Sequence, residues 1–408
     1  MKRIIVFSLI TLLVFSCELN QVDPGSKNLN LDKKSMELLE ADNEFGLELF
    51  KEVMKEAEAG ENIMISPLSV ALALGMTYNG SAGATREAME STLKLEGFTE
   101  EEINNGYKSI IDQLLDLDPK VIMEIANSIW YREGFEVEDE FINTNKEHFY
   151  AEIRELDFNR TDAVDIINRW VSDNTNELID EIIKEISPET VMFLINAIYF
   201  KGTWTYEFDP EETQMRPFYT EQGSEMSADA MRQETELNYF SNDQLKLVEL
   251  PYGDEKYSML AILPSGDYTC ADIRAQLNNS NLNSWTGQFN KTNVLVQLPK
   301  FKFETFKKLK DPLTEMGMGV AFSGSADFTR INSAGGLLIS EVLHKTFIDV
   351  NEEGTEAAAV TAVVIELTSI DPGQQSVQFI AEKPFLFLIR ENISESILFI
   401  GQVCNPEY

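Results

Sequence analysis

Glu352-Glu353-Gly354-Thr355-Glu356-Ala357-Ala358-Ala359-Val360-Thr361-Ala362-Val363-Val364-Ile365-Glu366-Leu367-Thr368-Ser369 is the stretch on which the reading of the chain turns. Small residues fill it from Gly354 to Thr361, and β-prone ones follow from Val363 to Leu367. Alternate residues separate into two faces. Thr355, Ala357, Ala359, Thr361, Val363, Ile365 and Leu367 carry no charge, while Glu356 and Glu366 lie on the other face with Ala358, Val360, Ala362 and Val364. That is strand alternation with one dry side and one wetter side. Thr355 to Thr368 would make an unusually long strand. Lying before the turn Asp371-Pro372-Gly373, the segment also suits a surface loop. A segment able to be both is suited to insertion into a sheet, although an edge strand or an Ala-rich helix also fits the pattern.

Working outward, short β-prone runs flank this stretch in the second half of the chain: Tyr257 to Leu263, Asn293 to Leu298, Phe385 to Ile389 and Ile397 to Ile400. Val191 to Phe200 is a longer aromatic and β-branched run that predicts a strand buried on both faces. The first half is helical in character. Phe45, Leu49, Phe50 and Val53 recur at helical spacing within Ala41 to Met54. Ser66-Pro67 provides a cap and a first-turn proline for an all-apolar, buried helix through Val70 to Met76. Thr85 to Leu93, Ile103 to Leu115, and Val164 to Ile186 ended by Ser187-Pro188 predict further helices. No internal repeat or composition break appears, so helices first and strands later predict one α+β body.

Acids dominate the composition: 33 Lys+Arg face 69 Asp+Glu, a net charge of −36. Such a surface excludes phosphate-backbone binding and electrostatic docking on anionic lipid, both of which need clustered bases. Cys17, Cys270 and Cys404 lack metal-ligand or redox spacing, and Cys270 and Cys404 could bridge only where a fold brings them together. The two histidines, His148 and His344, have no Gly-x-Ser-x-Gly elbow with them, which weighs against a Ser-His-Asp hydrolase. Nor does anything mark an aromatic platform for a nutrient-binding lipoprotein. At the N-terminus, Met1-Lys2-Arg3 and the apolar run Ile4 to Phe15 form a signal-peptide pattern. It closes on Leu13-Val14-Phe15-Ser16-Cys17, which resembles a bacterial lipobox. Residues 1–16 are thus expected to be removed and Cys17 to carry lipid, with acyl chains holding the protein on a membrane. Glu18 to Ser35 is polar and aperiodic and predicts a flexible tether, 17–36 counting the anchor.

Seven sequence blocks resemble the serpin family: Asn62 to Ser69, Ala126 to Trp130, Asn196 to Trp204, Leu298 to Phe301, Asn351 to Ala359, Lys383 to Phe387 and Phe399 to Pro406. They stand in the family's order and spacing from about Glu37 to Pro406. The resemblance implies a single serpin domain over 37–408, with three β-sheets, eight or nine helices and an exposed reactive-centre loop at about 352–378. It implies a suicide-substrate inhibitor, not an enzyme, with no cofactor, no metal and no nucleic acid. The target protease would be captured as a covalent 1:1 complex when the cleaved loop enters the main sheet, and the chain would be a monomer. Non-inhibitory members tend to have charged or bulky hinges. Glu352, Gly354, Thr355, Glu356, Ala357, Ala358 and Ala359 fit the inhibitory hinge.

The same resemblance places Ser66, Ser69, Asn196 and His344 at the shutter beneath the centre of the main sheet. Trp204, Lys300 and Glu352 fall at the breach, where insertion begins and where Lys300 and Glu352 could pair. Gly354 is expected to supply hinge dihedrals that bulkier residues resist. Counting from Glu352 puts the reactive bond at Thr368–Ser369, with Leu367, Glu366 and Ile365 as alternatives. These residues suit elastase-like, subtilisin-like or chymotrypsin-like serine proteases and papain-like cysteine proteases, and no Lys or Arg is offered to a trypsin-like one. The expected location is the outer membrane, facing the periplasm or the surface.

Overall fold

The structure, a computed structural model, describes residues 28–355 and 376–408. Its helices are α1 Lys33–Lys55, α2 Pro67–Tyr78, α3 Gly83–Thr92, α4 Glu100–Leu114, α5 Asp139–Phe149, α6 Ala163–Asp173, α7 Cys270–Gln276, α8 Asn279–Thr286 and α9 Lys310–Glu315. The strands are β1 Ile63–Ile65, β2 Val121–Arg132, β3 Glu152–Leu156, β4 Met192–Thr203, β5 Gln214–Tyr219, β6 Glu225–Ser241, β7 Leu245–Tyr252, β8 Tyr257–Pro264, β9 Asn290–Pro299, β10 Phe301–Lys308, β11 Leu343–Val350, β12 Gly354–Thr355, β13 Val377–Ile380, β14 Phe385–Glu391 and β15 Ile397–Val403.

One sheet runs β10-β11-β12-β4-β2-β3, and a nine-stranded network runs β1-β15-β14-β8-β7-β6-β9-β13 with β5 added on β6. The expected three sheets therefore join as two hydrogen-bonded networks. The 17-residue β6 is the reason: it pairs β5 near its start, β9 along most of its length and β7 at its end. Strands β8, β14 and β15 are buried along their whole length: the apolar runs Met259 to Leu263, Phe385 to Ile389 and Ile397 to Ile400 form most of each, and Ser258, Arg390, Glu391 and Gln402 are buried with them.

Helix α2 is built as its opening residues dictate. Ser66 accepts from Ser69 N at 3.4 Å, and Pro67 occupies the first turn. Its neighbour α1 must approach closely, since a Cβ on Gly46 would fall 2.3 Å from the Pro67 side chain. Helix α1 starts at Lys33, capped by Asp32, which accepts from Ser35 N at 2.7 Å. This corrects the tether, whose last residues belong to the helix; Leu29 and Leu31 also pack against the core.

Two other expectations change. The helix predicted from Val164 stops at Asp173, although its apolar spacing continues. Asn176 and Glu177 turn the chain with positive φ of 50° and 62°. The Asn168 side chain then captures it, accepting from Ile182 N and Ile183 N at 3.0 Å and donating to Ile183 O at 2.8 Å. Ile179, Ile182 and Ile183 are buried without being helical. Strand β4 does not have both faces buried: Ile195, Ala197 and Tyr199 are buried, while Phe193, Leu194, Asn196 and Ile198 are half-buried. Cys270 and Cys404 are both buried and both free.

Asp42 of α1 is 2% exposed; Tyr107 donates to its Oδ1 at 2.9 Å, and its Oδ2 has no partner among the described residues. Burial pushes this carboxyl up to about 8 from an ordinary 3.8. The unfolded chain releases that proton near 3.8 and the folded chain does not, so stability falls as pH rises from there to about 8. Asp42→Asn is therefore expected to stabilise the native chain by about 2–4 kcal/mol at pH 7, with little gain at pH 4. Urea unfolding at both values checks this, and an equal gain at both would contradict a buried proton at Asp42.

Candidate functional site

Strand β12 lies antiparallel between β11 and β4, pairing Thr355 with Val350 on one side and Gly202 on the other. Strands β4 and β11 therefore run parallel to each other, and no ladder joins them below β12 among the described residues. What lies between them is a slot. Its upper part is lined by Ile198, Phe200, Phe347, Thr355 and Phe399. Its lower part is a small cavity lined by Ser66, Ser69, Asn196, His344 and Phe399. The slot also explains why β4 is only half-buried along the face and edge turned toward it.

At the closed top the chain is tied down from several sides. Trp204 Nε1 donates to Asn351 O at 2.9 Å, Trp204 N to Glu353 O at 2.8 Å and Phe208 N to Glu352 O at 3.0 Å. The Glu352 carboxylate accepts from Thr213 Oγ1 at 2.8 Å and pairs with Lys300 at 3.1 Å. Burial pushes Glu352 up, but the bonds from Thr213, its own backbone and Lys300 outweigh that and hold it below the usual carboxylate range. The Trp204 ring stacks on Tyr252 with centroids 4.4 Å apart, and the Tyr252 hydroxyl lies 2.6 Å from Thr355 Oγ1. Trp204, Lys300 and Glu352 are thus brought together as expected, with the ion pair formed.

Gly354 is needed for a reason other than the expected one. Its φ lies outside the left-handed region, but a Cβ there would sit 2.1 Å from Gly202 O. Close backbone approach, not a special dihedral, excludes larger residues. Thr203 faces it across the ladder, while Gly202 faces Thr355, and a Cβ on Gly202 would meet the Tyr252 ring at 2.9 Å.

At the centre of the slot, His344 Nε2 accepts from Ser66 N at 3.0 Å, and Ser66 Oγ donates to Leu398 O at 2.7 Å. Asn196 Nδ2 donates to Asn127 Oδ1 at 2.8 Å, and Asn127 donates to Phe149 O at 2.7 Å. The buried Asn196 Oδ1 is left without a partner among the described residues. All four residues expected at the shutter therefore line one cavity. Glu356, Ala357, Ala358 and Ala359, the bond residues Ile365, Glu366, Leu367, Thr368 and Ser369, and Cys17 lie outside the described residues. Sequence reading missed Thr213, Tyr252, Gly202 and Asn127. An isolated glycine in a β-run signals close approach, so Gly202 was findable; Tyr252 and Thr213 carry no local signal.

Burial lowers the His344 pKa to about 4 from 6.5. The folded pKa is depressed, so this contribution is complete above pH 6.5 and is lost as pH falls toward 4. The loss amounts to about 3 kcal/mol if the site stays dry. His344→Gln is expected to flatten the acid limb of stability against pH between those values. An unchanged limb would show that His344 does not titrate with unfolding.

A family model described as Serpin (serine protease inhibitor) matches residues 40–406. The chain belongs to the serpin family. It is 32% identical over 424 residues to an uncharacterized serpin-like protein of Methanosarcina mazei, covering 100% of this chain and 98% of that one. It is 34% identical over 374 residues to the leukocyte elastase inhibitor of Xenopus laevis, covering 89% and 97%. The crystal structure of tengpin, a thermophilic serpin in its native state, superposes with a TM-score of 0.83 at 33% identity over 93% of this chain and 96% of that one. The α+β architecture is the serpin fold, and the family is one of protease inhibitors.

Proposed function

We propose that this serpin is a lipid-anchored suicide-substrate inhibitor of serine endopeptidases with elastase-like, subtilisin-like or chymotrypsin-like pockets, and of papain-like cysteine proteases. The observation that carries this reading is the slot between β4 and β11, already entered at its top by Gly354 and Thr355. Continuing that register sets Ala357 between Phe200 and Ile348, Ala359 between Ile198 and Thr346, and Thr361 between Asn196 and His344. The uncharged face of the segment then points into the core, and Glu356 and Glu366 point out. Thr361 would bring a hydroxyl donor to the unpaired Asn196 Oδ1, removing a cost of about 1–3 kcal/mol.

The chemistry follows from this. The protease serine attacks the carbonyl of Thr368, the peptide bond to Ser369 breaks, and Ser369 leaves with a free amine while Thr368 remains as an ester on the enzyme. The freed strand enters the slot. Fourteen inserted residues span about 46 Å and carry the acylated protease with them. Hydrolysis of the ester competes, so speed of insertion decides between trapping and turnover.

Incubation with elastase followed by a denaturing gel tests the reading. A covalent higher-mass band is expected, with release of a C-terminal fragment beginning at Ser369. Cleavage with no such band at any protease ratio would refute inhibition, and a fragment beginning beyond Gly373 would refute the hinge alignment. For the anchor, Cys17→Ala is expected to move the protein from the membrane to the soluble fraction; retention on membranes would refute lipidation at Cys17.

A further inference from the structure

We propose that the outward face of the β5–β6 hairpin is a docking surface for the target protease, taking a partner with an apolar patch inside a basic rim. The partner's identity rests on the inhibitor reading above; the surface itself rests on position and chemistry. Both ends of β5 are tied to the chain on either side of residues 356–375. Thr213, just before β5, donates to Glu352 Oε1 at 2.8 Å, and Tyr219 N, at its end, donates to Glu382 O at 2.8 Å. β5 is thus the strand bonded to both flanks of that segment, within reach of an enzyme engaged on it.

The face it meets is set by the register. Met215 pairs with Asp229, Pro217 with Ser227 and Tyr219 with Glu225. Phe218 and Ala228 are buried on the opposite face, so the first six point outward, and all six are exposed. Met215 is 62% and Tyr219 42% exposed. The result is an apolar row on β5 beside a row carrying two carboxylates on β6. Among the described residues β5 pairs with β6 alone, so it is an edge. Pro217 has no N–H to offer along that edge, which disfavours addition of a further strand. Contact is thus made by side chains, with the apolar row supplying area and the carboxylates steering a basic rim.

The test uses the full chain and leukocyte elastase, a basic protease, and follows the rate at which intact chain disappears. Docking precedes both trapping and turnover, so this rate reports it whichever fate follows. Two double variants are compared, Met215→Ser with Tyr219→Ser, and Glu225→Lys with Asp229→Lys. Each is expected to slow consumption roughly five- to tenfold. The loss in the charge variant should vanish at about 0.5 M salt, and cleavage of a free peptide of residues 360–373 serves as the shared reference. Unchanged rates in both variants, with melting temperatures matching the parent, would overturn the docking surface. Absence of a covalent band with the parent would instead overturn the inhibitor reading, while the rates still decide the role of β5.

Discussion

A single cut between residues 360 and 369 is expected to raise the melting temperature of this serpin, by about ten degrees or more. An ordinary domain nicked in a surface loop gains chain freedom and no contacts, so it becomes no more stable. Here the cut end has somewhere to go. β4 and β11 run parallel, and among the described residues their facing ladder positions are unfilled below Thr355, over small voids lined by Phe399 and its neighbours. Each residue entering that slot gains hydrogen bonds on two sides, and voids under the sheet lose volume. By continued register Thr361 would reach Asn196 Oδ1, a buried acceptor without a partner among the described residues. Before the cut, the flanks on either side are held, at Glu352 and at β13, so the downstream end is not free to follow. Thermal unfolding of intact and nicked protein, with the nick verified by mass, decides the matter. A nicked form that melts at or below the intact form would remove the insertion mechanism altogether.

Ala359→Arg is expected to convert the inhibitor into a substrate, with the covalent band lost and the protease left active after cutting the loop. By the register of β12, residue 359 arrives between Ile198 and Thr346 with its side chain inward. Thr346 is 3% exposed there and donates to Met64 O at 2.8 Å. A guanidinium brought into that space has no carboxylate among the neighbours it would meet, and burying it unpaired costs several kcal/mol. Even 3 kcal/mol on the insertion barrier would slow entry by roughly a hundredfold, giving hydrolysis of the acyl-enzyme time to win. Ala358→Arg is the internal control, since residue 358 falls on the outer face and should retain most trapping. Full trapping by the Ala359 variant, or equal loss in both, would place the register or the face incorrectly.

The sequence by itself determined which alternate residues of the segment after Gly354 carry no charge, because side-chain alternation in an extended chain is a local property with period two. It also determined α2 through Ser66-Pro67, and the buried strands β8, β14 and β15 through their apolar runs. These rest on capping, propensity and burial, which act within a few residues. What only the tertiary structure decided depends on groups far apart in the chain. Asn168 takes the backbone bonds of Ile182 and Ile183 and so ends a helix whose apolar spacing continues. Gly354 is required because Gly202, 152 positions earlier, brings its carbonyl within 2.1 Å of where a Cβ would stand. β4 was read as fully covered because its residues are apolar enough to be. Among the described residues no strand lies between β4 and β11 below Thr355, and composition records what a strand can pack against, not whether a partner is there. Register, likewise, is fixed by which residues two distant strands bring opposite each other, and it is the register of Gly354 and Thr355, if continued, that would align Thr361 with Asn196.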